Sequence, residues 1–176
     1  IANPKTIDFQ VGRTSLLTGM IKAIVSNKSH ELPIQLFEIS DVVLLSRDKT
    51  ENPIKGFFND ISDFFSGQET IGAYNQRNLC LVYTNTSTSG LDLLHGTLDL
   101  LIHKLFGKKL DYELKSNDAP YLFMKLQAAI HLRGDKIGEM GVVHPEVLKQ
   151  YKWPYPVSMI ELNFEKLIER YFDKNN

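Results

Sequence analysis

Arg13-Thr14-Ser15-Leu16-Leu17-Thr18-Gly19-Met20-Ile21-Lys22-Ala23-Ile24-Val25-Ser26-Asn27, followed after Pro33 by Ile34-Gln35-Leu36-Phe37-Glu38-Ile39-Ser40-Asp41-Val42-Val43-Leu44-Leu45, is the stretch whose reading decides the fold. Leu16, Leu17, Met20, Ile21, Ile24 and Val25 recur at helical spacing, and Arg13, Thr14, Lys22 and Asn27 leave the other face polar, so the spacing predicts an amphipathic helix over 14–26. Gly19 within it costs up to ~1 kcal/mol relative to alanine, which points to a close backbone approach by a neighbour, a partner helix being one candidate, or to a break. Ile34 to Leu45 is too rich in β-branched and aliphatic residues for a surface loop and reads as a strand.

Working outward, Asn78 to Tyr83 reads as a strand and Leu91 to Phe106 as a helix with Leu91, Leu94, Leu98, Leu101, Ile102 and Leu105 inward and Ser89 as a possible cap. A short strand is expected near Asp111 to Leu114. Gln127 to Arg133 and Lys136 to Val143 should be antiparallel neighbours about a Gly134-Asp135 turn. His144-Pro145-Glu146 opens a helix, because proline suits the first turn and Glu146 complements the dipole. Trp153-Pro154-Tyr155-Pro156 breaks it, Val157 to Asn163 is a buried strand, and Phe164 to Phe172 a closing helix. The pattern is α+β: one antiparallel sheet flanked by helices. Residues 46–76 form a long insertion, in which Phe57, Phe58, Ile61, Phe64 and Phe65 are spaced for a short amphipathic helix that docks on its own domain or serves as a partner or nucleic-acid lid.

With 176 residues, 43% of them hydrophobic, a single well-cored domain is expected over 1–176. The balance of 20 basic against 21 acidic residues gives no global attraction for polyanions, so any RNA contact would be local. Cys80, the only cysteine, cannot form an internal disulfide and reads as a small buried strand residue in a reducing compartment. No apolar run approaches the ~20 residues of a membrane span, and the expectation is a soluble, cytoplasmic protein without a membrane partner. The opening at Ile1 suggests a segment of something longer.

Few constellations carry chemistry. His95, Asp99 and His103 fall at i, i+4 and i+8 and could present three zinc ligands, but the outer pair lies ~12 Å apart along the axis, and a solvated face with Asp99 pairing a histidine is the default reading. Glu38, Asp41 and Glu161 could form a carboxylate set, with cross-strand or interface pairing as the default. His144 beside Glu146 already has a structural explanation. Gly138-Glu139-Met140-Gly141 lacks the helix and lysine of a phosphate loop and reads as a tight strand. Lys104, Lys108 and Lys109 mark a helix end before they mark an RNA site.

In order, Asn3-Pro4-Lys5-Thr6, Phe9-Gln10-Val11, Arg13-Thr14-Ser15-Leu16-Leu17, Leu36-Phe37-Glu38-Ile39-Ser40-Asp41-Val42, Asn75-Gln76-Arg77 and Gly138 through Gly141-Val142-Val143-His144-Pro145-Glu146-Val147-Leu148 resemble the β chain of phenylalanyl-tRNA synthetase, of the archaeal and eukaryotic-cytosolic form. The resemblance implies a catalytic-like domain with the class II synthetase fold, paired with an α chain in an α2β2 heterotetramer that uses ATP and Mg2+ to attach phenylalanine to tRNA. It also implies that the first helix and strand form a subunit interface, with Arg13, Leu16, Leu17, Gly19, Met20 and Ile24 as its residues. Where the second class II motif has a phosphate-binding arginine two residues before a glutamate, Leu36 precedes Glu38, and Val157-Ser158-Met159-Ile160-Glu161-Leu162 supplies neither the glycines nor the arginine of the third. A leucine cannot stabilise a negatively charged pentavalent phosphorus. The expectation is therefore a non-catalytic domain with no catalytic, cofactor-binding or metal-binding residues of its own. The alternatives are an RNA-binding module contacting tRNA through the 46–76 loop, or a diverged adenylate-forming or metal-dependent enzyme. Met124-Lys125-Leu126 stands where the family often carries Pro-Gly-Arg.

Overall fold

The structure, a computed structural model, describes residues 11–46, 72–107 and 112–175. Its element order is α1 (Leu17–Ser26), β1 (Ile34–Ser46), β2 (Gly72–Thr84), α2 (Leu91–Phe106), β3 (Tyr112–Lys115), β4 (Leu122–Leu132), β5 (Asp135–Val143), α3 (Pro145–Gln150), β6 (Val157–Asn163) and α4 (Phe164–Asn175). The strands make one six-stranded sheet in the order β1-β2-β6-β5-β4-β3, and the pairs from β2 through to β3 are antiparallel. The α+β architecture is the one the sequence predicts. The chain divides into two compact units, 1–14 with 41–76 and 15–40 with 77–176. In the first, the Arg13 Nε donates to the Asp41 carbonyl and the Val43 N–H to the Arg13 carbonyl.

The second unit holds the site. Leu79, Tyr83, Ile130, Leu132, Ile160 and Leu162 project from one face of the sheet into a core closed by Leu94, Leu98, Ile102 and Phe106 of α2 and Leu167 of α4. Each such aliphatic side chain contributes about 1.5–3 kcal/mol by leaving water. Alternation then sends Asn78, Cys80, Glu161 and Glu139 to the opposite face. That is where the polar chemistry of the fold collects.

Local expectations needed four corrections. Residues 14–16 are not helical; α1 begins at Leu17, because Ser15 and Leu16 are held by hydrogen bonds to Glu161 instead. The start of α2 is not capped by Ser89: its N-cap is Gly90 at φ 64°, where a Cβ would fall on the Tyr83 ring. The hairpin turns on Arg133-Gly134, both at positive φ, one residue earlier than Gly134-Asp135, since Leu132 already pairs with Asp135. The fourth concerns strand bounds: β2 extends back to Gly72 and β1 reaches Ser46, so the insertion shortens at both ends, and β4 begins at Leu122 rather than Gln127. Its remaining residues, the Phe57–Phe65 helix among them, lie outside the described residues, as do Lys108 and Lys109.

The end of α3 has a feature of its own. Trp153 N–H bonds to the Leu148 carbonyl and Lys152 N–H to the Lys149 carbonyl, the two bonds of a Schellman motif. Lys152 occupies its left-handed position at φ 55°, where glycine is usual and a residue with a Cβ costs about 1–2 kcal/mol. The indole N–H of Trp153 is buried and donates to Thr84 Oγ1 at 3.1 Å.

Candidate functional site: a row of carboxylates on the second sheet face

Strand register sets the geometry. Glu161 lies directly opposite Cys80 on one side and Glu139 on the other, and Glu139 lies opposite Ala129. Directly opposed residues share a face with Cβ atoms about 4.5–5.5 Å apart, so two carboxylates and a thiol form a transverse row. Glu38 of β1 is close enough to act on the same thiol. Of the predicted set Glu38, Asp41 and Glu161, the structure brings Glu38 and Glu161 to Cys80, and adds Glu139, which sequence reasoning took for strand filler.

Two acids facing one another destabilise a sheet unless each is compensated. Glu161, only 8% exposed, accepts from Ser15 Oγ at 2.6 Å, from the Leu16 N–H at 3.1 and 3.3 Å, and from Asn78 Nδ2 at 2.7 Å. Ser15 Oγ in turn accepts from the Leu17 N–H at 3.1 Å. The first N–H groups of a helix have no intrahelical acceptor, and at the start of α1 the Leu16 N–H finds its acceptor on β6 and the Leu17 N–H on Ser15 Oγ, itself bonded to Glu161. Glu139 accepts from Tyr121 Oη, from Asn117 Nδ2 at 3.2 Å and from Lys136 Nζ at 3.5 Å. Burial raises its pKa above the usual carboxylate range, the Asn117 bond pulls the other way, and the Glu161 charge adds to the rise. Burial, then Glu161 and Glu38, also push the Cys80 thiol well up, so no thiolate nucleophile is available there.

This donor set does not fit a nucleoside triphosphate or its Mg2+. The phosphate-cradling position of the resembled motif is held by Leu36, β6 offers no arginine, and Glu161 and Glu139 spend their oxygens on protein donors. Among the described residues no group of three or more His, Cys, Asp or Glu is placed to hold a metal ion.

The α2 triplet is broken up in a specific way. Tyr112 of β3 inserts its hydroxyl between His95 and Asp99, 2.8 Å from His95 Nε2 and donating to Asp99. Burial, reinforced by the Asp99 hydrogen bond and charge, holds that phenol protonated well above its ordinary range. His95 and Asp99 thus tie the edge strand β3 to α2, and His103 lies outside the cluster. Tyr112 carried no sequence signal for this role.

The remaining candidates have structural duties. His144 Nδ1 accepts from the Glu146 N–H at 3.2 Å as the N-cap of α3, and Glu146 pairs with Lys149 at 3.8 Å. Gly138 and Gly141 sit on β5, where a Cβ would meet the backbone of β6 and β4. Met124-Lys125-Leu126 lies on β4 between the two ends of a register shift. Of the six residues expected at an interface, Leu16, Leu17, Met20 and Ile24 are buried within this chain, Gly19 is half-buried and Arg13 exposed. More exposed apolar groups lie on the edge strand β1, where Phe37 is 73% and Ile39 46% exposed.

Residues 1–164 match the family described as the phenylalanyl-tRNA synthetase beta chain CLM domain. The chain belongs to this family. Its relatives include phenylalanine–tRNA ligase beta subunits of Homo sapiens, 36% identical over 167 residues, and Mus musculus, 37% over 172. The Arabidopsis thaliana relative, 33% identical over 181 residues, is named as cytoplasmic. These alignments cover 93–96% of this chain but only 25–27% of each relative, so the chain spans about a quarter of their length. Among solved structures, the pyrrolysyl-tRNA synthetase of Desulfitobacterium hafniense superposes with a TM-score of 0.60 over 89% of this chain and 48% of its own, at 11% identity. At that identity the likeness concerns the fold, which is the class II synthetase fold. No helix among the described residues of this β-chain domain is long and apolar enough to cross a membrane.

Proposed function

We propose that this segment is the non-catalytic, catalytic-like module of a phenylalanine–tRNA ligase β subunit, and that it pairs with an α subunit in a cytoplasmic α2β2 assembly which charges tRNA with phenylalanine. The observation that carries the reading is the state of Glu161. On the face of a synthetase-type sheet opposite α2, this carboxylate holds the start of α1 through Ser15 and Leu16 and is bonded to Asn78 as well, so it serves architecture. ATP and Mg2+ belong, on this reading, to the partner's active site.

The partner surface differs from an apolar helix face. Leu16, Leu17, Met20 and Ile24 act from inside, as the packing that stiffens α1, while Gly19 and the exposed Phe37 and Ile39 of β1 supply contact. An edge strand with exposed aromatic and aliphatic groups is a surface that natural proteins normally cover. Co-expression with the α subunit tests this. Phe37→Glu with Ile39→Lys should abolish co-purification while leaving the urea midpoint of the isolated chain within experimental scatter. Wild-type chain alone should show no ATP–pyrophosphate exchange. Undiminished assembly of the double variant would remove β1 from the interface, and exchange by the chain alone would end the non-catalytic reading.

A further inference from the structure

Tyr112 brings a third donor atom to the pair His95 and Asp99 on α2. Its Oη lies 2.8 Å from His95 Nε2 and donates to Asp99, while His95 Nε2 and Asp99 Oδ1 stand 4.0 Å apart. An imidazole nitrogen, a phenol oxygen and a carboxylate oxygen therefore converge from two different elements. The His95 and Tyr112 rings meet edge to face, with 89° between their planes, so the nitrogen and the phenol oxygen are held toward each other. The side chains of His95 and Asp99 are 41% and 45% exposed, and His95 also lines an open cleft of about 320 Å3, so water and solutes reach the cluster.

The spacing of the donors has a chemical meaning. Around an ion with bonds of about 2.0–2.2 Å, donors at right angles stand ~2.9 Å apart, opposed donors ~4.1 Å, and tetrahedral donors all ~3.3 Å. The observed 2.8 and 4.0 Å correspond to one adjacent and one opposed pair, with Tyr112 between the other two. Tetragonal coordination by nitrogen and oxygen is the preference of Cu2+ and Ni2+, and of the two Cu2+ binds a given donor set more tightly. Zinc, tetrahedral in structural sites, fits this spacing poorly. The charges also balance, because a dication with one carboxylate and one phenolate is neutral.

We infer that His95, Asp99 and Tyr112 form a binding site for Cu2+, which clips the edge strand β3 to α2 while water completes its coordination. The ion takes the place of the proton that Tyr112 donates to Asp99. That proton passes to solvent, and His95 coordinates through Nε2 with its own proton on Nδ1. Burial and the Asp99 contact keep the phenol protonated without a cation, and a bound dication reverses that local balance. His103, the third residue of the sequence triplet, is not part of the site. The inference is independent of the subunit pairing proposed above.

Equilibrium dialysis of the 176-residue chain against glycine-buffered Cu2+ measures the binding, and a visible phenolate-to-copper charge-transfer band identifies tyrosine as a ligand. Both signals are expected from the wild-type chain. Tyr112→Phe keeps the ring and should lose the band, with affinity falling at least about tenfold, the loss that even an outer partner of a metal ligand brings. Asp99→Asn still accepts from the Tyr112 hydroxyl, so β3 stays in place while affinity falls by a similar factor. His103→Ala should bind like wild type. At free Cu2+ about 100 times the dissociation constant, the folded-to-unfolded ratio in a urea titration should rise by up to about a hundredfold. The inference is overturned if Cu2+ produces no charge-transfer band, if Tyr112→Phe retains wild-type affinity, if His103→Ala abolishes binding, or if Zn2+ displaces Cu2+ at equal concentration.

Discussion

Removing the Glu161 carboxylate separates anchoring from mere burial. In Glu161→Ala the Leu16 N–H and Asn78 Nδ2, both buried, lose their acceptor, and only the Ser15 hydroxyl is free to rotate toward another. Each lost bond to this buried carboxylate costs about 1–3 kcal/mol. Relief of the cross-strand repulsion with Glu139 returns about 0.2–1 kcal/mol. The net loss is about 1–6 kcal/mol, a large part of the ~5–15 kcal/mol by which domains are stable. With a urea slope of about 2 kcal/mol/M, a loss of about 3 kcal/mol lowers the midpoint by about 1.5 M. Glu161→Gln keeps a carbonyl oxygen for Leu16 and Asn78, and its amide can donate to Ser15 Oγ. It forfeits only the charge assistance, about 1 kcal/mol or 0.5 M. Urea titration followed by circular dichroism measures both, and hydrogen exchange at Leu16 and Leu17 localises the effect. If Glu161→Ala unfolds within 0.3 M of wild type, or if exchange at Leu16 is unchanged, the carboxylate is not what holds α1.

Three further outcomes follow from the same face and its surroundings. Cys80 is fully buried and its thiol is pushed up by burial and two glutamates, so iodoacetamide should leave the native chain unmodified for hours and alkylate it in 8 M urea; rapid native labelling would contradict the burial. Glu139 binds its proton more tightly in the folded chain than in the unfolded one, where its value is about 4.5. The folded state therefore gains from this group below that pH and loses stability as pH rises from about 4.5 through the raised value. Glu139→Gln should remove that decline, seen as a flatter midpoint-against-pH curve than wild type above pH 4.5. Gly90→Ala places a methyl on the Tyr83 ring at a left-handed φ, and should lower stability by at least about 1–2 kcal/mol in a thermal melt, with near-UV ellipticity reporting the displaced tyrosine.

The sheet and its helices were legible because periodicity carries them. Val157–Asn163 and Leu91–Phe106 have the predicted bounds, since the first is a short uninterrupted apolar strand and the second a long, strongly periodic helix. The turn at Arg133-Gly134 was misplaced by one residue, because Gly134-Asp135 is also a favourable pair and only the cross-strand register decides between them. The site was half legible. Glu161 stood out as an acid inside an apolar strand, but its partners Ser15, Leu16 and Asn78 lie 146, 145 and 83 residues away, and local pattern holds no information at that range. Glu139 was hidden by its glycine neighbours, and Tyr112 by lying on a four-residue strand at the sheet edge. The apolar stripe of α1, expected at a partner interface, is buried within this chain, because periodicity does not say whether the surface a helix meets belongs to the same chain.

The bond between Leu16 and Glu161 spans 145 residues, nearly the whole chain. At ribosomal speeds of about 5–20 residues per second, α1 leaves the ribosome roughly 7–30 s before the strand that anchors it has been made. During that interval the stripe of Leu17, Met20, Ile21 and Ile24 has no sheet to lie on, and it is the part of a nascent chain that chaperones shelter and proteases find. A chain ended at residue 156 holds it in that condition permanently, and limited proteolysis should cut first around α1. The helix that opens the domain is among the last pieces to be secured.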